Sequence, residues 1–182
     1  NRYLGEFEPV SSENVGDGWV KHMFDPDGGN GPICIAGTPF SVFTNAGNPA
    51  KLLIFLQGGG ACWQDFYFCN ITVGAQNQEL PFPQQEPPFR PVGIWDFNSK
   101  DNPFADYSIV YMPYCDGSVF SGDNDVFDPA FGASIGLPGA VEVRFHRGMR
   151  NMSAGMDLAK TMFPRASRIV VAGSSAGGAG AA

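Results

Sequence analysis

Arg168-Ile169-Val170-Val171-Ala172-Gly173-Ser174-Ser175-Ala176-Gly177-Gly178-Ala179-Gly180 is the stretch that decides the fold. After Arg168 it is continuously apolar until Gly173 cuts it off, which fits a strand buried on both faces of a parallel sheet. Gly173-Ser174-Ser175-Ala176-Gly177 then matches G-x-S-x-G, and the small residues that follow open a helix. Strand, sharp turn and helix is the setting that exposes such a serine as a nucleophile. Bulky side chains two before or two after it would clash, so the glycines are a steric requirement. Ser175 then presents its hydroxyl near a helix N-terminus, whose partial positive charge favours a developing anion. A glycine-rich tail that happens to contain serine is the alternative, and the preceding strand argues against it.

Two upstream runs repeat the strand pattern. Lys51-Leu52-Leu53-Ile54-Phe55-Leu56 ends at Gly58-Gly59-Gly60, and Tyr107-Ser108-Ile109-Val110-Tyr111-Met112 ends at Pro113. Before the third run, Val141, Phe145, Met149, Met152, Met156, Ala159 and Phe163 recur at intervals of three or four, predicting an amphipathic helix that Pro164 ends. Its three methionines read as core packing. Strand, crossover helix, strand is a βαβ unit, so the fold class is α/β with a mainly parallel central sheet. Residues 1–50 read as β-rich, with half-exposed strands at Gly18 to Phe24 and Pro39 to Phe43 joined by a turn through Asp25-Pro26-Asp27-Gly28-Gly29. From Gly74 to Gly93 the chain is rich in Gln, Pro and Phe and cannot build regular structure. A solvated loop and a lid beside Gly58–Gly60 are equally good readings of it.

The glycine cluster directly after the 51–56 strand is the second chemical element. Leu56-Gln57-Gly58-Gly59-Gly60-Ala61-Cys62-Trp63 lets backbone N–H groups face a ligand oxygen, as an oxyanion loop does, with the N–H of Ala176 as a further donor. Removing one such donor typically costs roughly 3–4 kcal/mol in the transition state. A phosphate loop fails as a reading, because no G-K-[S/T] follows.

Composition agrees with a single loop-rich domain. The 182 residues are 43% hydrophobic and 16% charged, which supports a packed core and excludes general disorder. Eleven basic against eighteen acidic side chains give −7, so nucleic acid is not a partner. Nothing approaches 18 consecutive apolar residues, so no transmembrane segment is expected. Twenty-four glycines and fifteen prolines predict many irregular connections.

Cys34, Cys62, Cys69 and Cys115 form no CxxC pair, and with only His22 and His146 available a metal site is not expected; nor is a cofactor. The even count suits disulfides in an oxidising compartment, and a secreted protein is the favoured reading. Four cysteines allow three pairings. Asn70-Ile71-Thr72 and Asn151-Met152-Ser153 are glycosylation sequons; Asn151 falls inside the expected helix, which leaves Asn70 as the candidate. Asp116, Asp123, Asp125 and Asp128 lie too irregularly for an EF-hand and read as a solvated acidic loop. Following the end of a core strand, that loop makes Asp116 and Asp123 candidates to line a substrate cleft, together with Trp63.

With these residues in hand, the sequence resembles the pectin acetylesterase/Notum family of carboxylesterases. The resemblance rests on the residues from Phe55 to Trp63; on Gly93-Ile94-Trp95-Asp96 with Asn102-Pro103-Phe104; on the run from Tyr114 to Asp123; on Phe145-His146-Arg147-Gly148 with Asn151; and on the run from Ala172 to Gly178. It implies an extracellular α/β-hydrolase without a metal, Ser175 as nucleophile, and oxyanion donors at Gly59, Gly60 and Ala176. It also implies bridges Cys62–Cys69 and Cys34–Cys115.

The family's acid and base follow the nucleophile in the order Ser, Asp, His. Residues 1–182 therefore read as the N-terminal portion of one α/β-hydrolase domain, with the Asp and His expected beyond residue 182, on a second polypeptide or on missing sequence. The other arrangement, His146 as base with Asp116 or Asp123 as orienter, is foreign to the family's order. His146 beside Phe145 at a helix start reads as a surface or capping residue, and His22 as structural. The expected function is a secreted serine carboxylesterase that removes acyl groups, chiefly acetyl, from a polysaccharide such as pectin. The alternatives are a Notum-like lipid or protein deacylase and a non-catalytic carbohydrate-binding protein, in which Trp63 and Trp95 would stack on sugars.

Overall fold

Leu52, Leu53, Ile54 and Leu56 are all buried, and they place the 51–56 run at the heart of a mixed sheet. The computed structural model describes residues 7–25, 30–63, 66–67, 87, 89–134 and 139–182. Its main sheet holds β1 (Ser11–Gly16), β2 (Trp19–Phe24), β3 (Phe40–Asn45), β4 (Asn48–Leu56), β7 (Tyr107–Met112) and β10 (Arg168–Gly173), in the order β1-β2-β3-β7-β4-β10. Two small ribbons pair β5 (Cys62–Trp63) with β6 (Phe66–Tyr67), and β8 (Asn124–Phe127) with β9 (Val143–His146). Among the described residues the α-helices are α1 (Phe131–Ser134), α2 (Gly148–Met162) and α3 (Ala176–Gly180), and Gly93–Trp95 forms a 3-10 turn. Among the described residues no helix is long and apolar enough to cross a membrane.

The expectation of a mainly parallel sheet is corrected by the pairings. β4 is parallel to β7 and to β10, whereas β1, β2, β3 and β7 run antiparallel to their successive neighbours. The antiparallel half arises locally: Asp17 and Gly18 both take positive φ, the geometry of a tight two-residue hairpin turn between β1 and β2. β2 and β3 pair as the sequence suggests, but β3 is buried from Phe40 to Thr44 rather than half exposed. It is sandwiched between β2 and β7 with side chains covered on both faces, so alternation is lost.

One core lies on the face that carries α2, with Phe24, Phe40, Val42, Leu52, Ile54, Leu56, Val110 and Met112 packed on Ala154, Leu158 and Ala159. The opposite face holds Trp19, Phe43, Leu53, Ile109 and Tyr111, covered by Phe89, Trp95, Phe97 and Phe104. The helix differs from its expected extent and face. Residues 143–146 form β9, and the inward stripe runs through Asn151, Ala154, Gly155, Leu158 and Ala159, while Met156 is exposed. Small residues win that face because Gly155 sits directly on the Met112 side chain, leaving no room for a Cβ. The helix does stop before Pro164, with the Phe163 N–H bonded to the Ala159 carbonyl.

β10 is also corrected. Ile169 is 56% exposed and Val171 46%, because among the described residues β10 is an edge strand that α2 does not cover. Cys34 and Cys115 form the implied bridge, 81 residues apart. Closing a loop of that length stabilises by about 4 kcal/mol on chain-entropy grounds. The implied Cys62–Cys69 pairing involves Cys69, which lies outside the described residues, as do Asn70 and the Trp63 side chain. Asn151 is 1% exposed, with Oδ1 accepting from the Ile33 N–H and Nδ2 donating to the Ile33 carbonyl. A side chain so enclosed is closed to glycosylation.

Candidate active site

Ser175 stands between the end of β10 and the first residue of α3, with φ 51° and ψ −118°. An L-residue in that region is strained by roughly 1–3 kcal/mol and persists only where its surroundings impose it. Here they do. The Ser174 N–H bonds to the Leu56 carbonyl at 3.2 Å, the Gly177 N–H bonds to the Ser174 carbonyl at 2.9 Å, and the Ala179 N–H bonds to the Ser175 carbonyl at 3.1 Å. A Cβ on Gly173 would run into the Gly177 backbone, and one on Gly177 into the Leu56 carbonyl. Both glycines of the motif are therefore fixed by backbone contacts. Ser175 itself is exposed, and Ala176 is buried beside it.

The glycine loop after β4 lies against this turn. The Gly58 N–H donates to Ser174 Oγ at 3.1 Å, and a Cβ on Gly58 would come within 2.9 Å of Ser175 Cβ. Gly60 has φ 83°, which only glycine adopts freely. Gly59 rests on the ring of Tyr114, where an added Cβ would lie 2.7 Å from Cδ1. Gly58 thus meets Ser174 and Ser175 where the paired strands β4 and β10 end, with Gly59 and Gly60 following it in the loop and Ala176 following Ser175. Ala176 opens α3, so its N–H has no intrahelical acceptor.

Other singled-out residues lie elsewhere. Asp116 is 1% exposed; its Oδ2 accepts from Ser118 Oγ, and among the described residues its Oδ1 has no hydrogen-bond partner. The acidic stretch is not a solvated loop. Asp123 Oδ1 accepts from Arg150 Nε at 2.6 Å, Asp125 takes two bonds from Arg147, and Asp128 pairs with Arg144 at 3.0 Å. Among the described residues no group of three or more His, Cys, Asp or Glu is placed to hold a metal ion.

Both histidines are engaged away from Ser175. His146 is buried at the end of β9, not at a helix start; its Nδ1 is 2.8 Å from the Asp116 carbonyl and its Nε2 is 3.1 Å from Arg144 Nη1. Burial first, then the Arg144 charge, holds its pKa below the ordinary imidazole value. His22 is buried between Ser12 Oγ at 2.8 Å and Thr44 Oγ1 at 2.9 Å, and burial lowers its pKa too. Trp95 is no isolated platform: it stacks on Phe89 at 4.4 Å and meets Phe55 edge-on at 5.0 Å. These rings with Tyr111, Gln57 and Ser174 wall a cleft of about 270 Å³ that reaches the turn before the serine.

Burial pushes Asp116 up to about 6. In the unfolded chain it would ionise near its ordinary value of about 3.9, so between pH 4 and 6 the folded state binds the extra proton. Stability from this group is then present below pH 4 and lost as pH rises through 6. Asp116→Asn should remove that dependence: the wild-type protein loses roughly 3 kcal/mol against the variant between pH 4 and 7. Parallel pH–stability curves in urea titrations would contradict it.

A family model described as pectinacetylesterase matches residues 22–182. No curated protein matches the chain.

Proposed function

The chain belongs to the pectinacetylesterase family, and from that premise we propose that it is a secreted serine carboxylesterase that removes acetyl groups from a polysaccharide such as pectin. Membership by itself implies esterase chemistry on a polysaccharide. The observation that carries the serine mechanism is the left-handed Ser175 on a strand–turn–helix, with Gly58 of the glycine loop against it. That setting supports reading residues 1–182 as the N-terminal portion of an α/β-hydrolase domain.

In this reading Ser175 Oγ attacks the acetyl carbonyl carbon and gives up its proton to a general base. The N–H groups of Gly59, Gly60 and Ala176 hold the tetrahedral oxyanion. Collapse breaks the ester C–O bond, the sugar hydroxyl leaves with the proton, and water then hydrolyses the acetyl-serine to acetate. His22 and His146 are both bonded elsewhere, so in this reading neither serves as the general base.

The test is fluorophosphonate labelling of the intact protein, followed by peptide mapping. Label on Ser175 is the expected result, and turnover of acetylated pectin should fall in proportion to labelling. A folded sample that hydrolyses acetyl esters with Ser175 unlabelled would overturn the mechanism; one that binds glycan without turnover would favour the carbohydrate-binding alternative.

A further inference from the structure

Tyr114 has no chemistry to perform at the site, yet it is wholly buried between the two halves of it. Its backbone N–H donates to Gln57 Oε1 at 3.0 Å, and Gln57 in turn bonds through its own N–H to the Met112 carbonyl. One edge of its ring lies under Gly59. At the other end its hydroxyl accepts the Val119 N–H at 2.9 Å.

Val119 and Phe120 are the unusual members of this arrangement. Their φ values are 58° and 59°, a left-handed pair built from a β-branched and an aromatic residue, neither of which adopts it willingly. The pair backs directly onto α3: a Cβ on Gly180 would lie 3.0 Å from Phe120 Cβ and 3.2 Å from the Val119 carbonyl oxygen. Phe120 shares the α2-side core with Tyr114 and Ala176, and its ring centroid is 5.2 Å from that of Tyr114. The turn is braced from behind as well, since Ser118 Oγ bonds to Asp116 and receives the Gly122 N–H.

We propose that Tyr114 is a positioning residue for the oxyanion hole, its ring seating Gly59 on one side and its hydroxyl locking the left-handed Val119 turn that supports Ala176 and α3 on the other. The inference rests on the serine-esterase reading above. Two donors supplied by segments more than a hundred residues apart must be held to a few tenths of an ångström, and a single rigid side chain links Gly59 to the turn that backs onto α3. A displacement near 1 Å is enough to cost about a hundredfold in rate.

The decisive variant is Tyr114→Phe, which keeps the ring and releases only the Val119 N–H. In the intact protein, kcat for 4-nitrophenyl acetate should fall about 10- to 100-fold with KM within about twofold, because the donors act on the transition state. Val119→Gly, added to it, should restore kcat to within about threefold, because glycine takes φ near +60° without help. A merely structural tyrosine would not be rescued there. Wild-type kcat in Tyr114→Phe overturns the inference, and so does a double variant that fails to recover activity or to fold. Ser175→Ala runs beside them: if that variant turns over normally, the esterase reading itself has failed; if it is inactive while Tyr114→Phe is unaffected, only the positioning role has failed.

Discussion

Ser175→Ala should cut hydrolysis of acetyl esters by at least about four orders of magnitude while leaving the protein folded. Removing the nucleophile of a serine hydrolase costs about 10⁴–10⁶ in kcat, and what survives comes from binding and oxyanion stabilisation. The strain at Ser175 belongs to its backbone, φ 51°, and not to its hydroxyl. Alanine is as strained there as serine, so its thermal midpoint should stay close to wild type. Glycine is not: Ser175→Gly should be equally inactive but more stable than either, by about 1 kcal/mol. Measured together, the three proteins separate loss of chemistry from loss of fold. Substantial turnover in Ser175→Ala would remove Ser175 from the mechanism. A glycine variant less stable than alanine would contradict the left-handed turn.

Gly58→Ala should have the next largest effect, for a steric reason. The added Cβ would lie 2.5 Å from the Ser174 carbonyl oxygen and 2.9 Å from Ser175 Cβ. Neither neighbour is a flexible side chain, since the turn is tied to Leu56 through the Ser174 N–H. The glycine loop must therefore back away from the serine by most of an ångström, taking Gly59 and Gly60 with it. Loss of kcat/KM by about 10²- to 10³-fold is expected, with a stability cost of about 1–3 kcal/mol from the forced repacking. Steady-state kinetics and a urea titration on the same variant check both numbers. Near-normal kcat would mean that the loop does not contribute to catalysis in its present position.

The parts of this architecture that could be read from the sequence are those whose signal is local. The 51–56 and 107–112 runs announce themselves by unbroken apolar character, and both are core strands. G-x-S-x-G carries its own context, so the strand before it and the turn at Ser175 were both legible. What escaped depends on distant partners. Phe145 kept helical spacing with the residues after it, but it lies in β9, which is claimed by pairing with β8. The spacing of large apolar residues also pointed to the wrong helix face, because α2 approaches the sheet through Gly155 and Ala154. Isolated aspartates looked solvated, since nothing in their neighbourhood shows that Arg144, Arg147 and Arg150 come back to meet them. Val119 and Phe120 are the extreme case: residue type argues against a left-handed turn, and partners distant in sequence, α3 among them, join the Tyr114 hydroxyl in holding them there.

The order of strands in the sheet sets a schedule for the growing chain. β1, β2 and β3 can zip together as soon as they emerge, since each pairs with its predecessor. β4 cannot: its partners on both sides, β7 and β10, are made later, and β10 begins at Arg168, long after Leu56 has left the ribosome. At roughly 5–20 residues per second, the buried run of Leu52 to Leu56 in β4 spends on the order of ten seconds with at least one open edge. The Cys34–Cys115 bridge falls within this interval, just after β7 is complete. Oxidation at that moment would tether the finished half of the sheet while β4 still waits for its last neighbour.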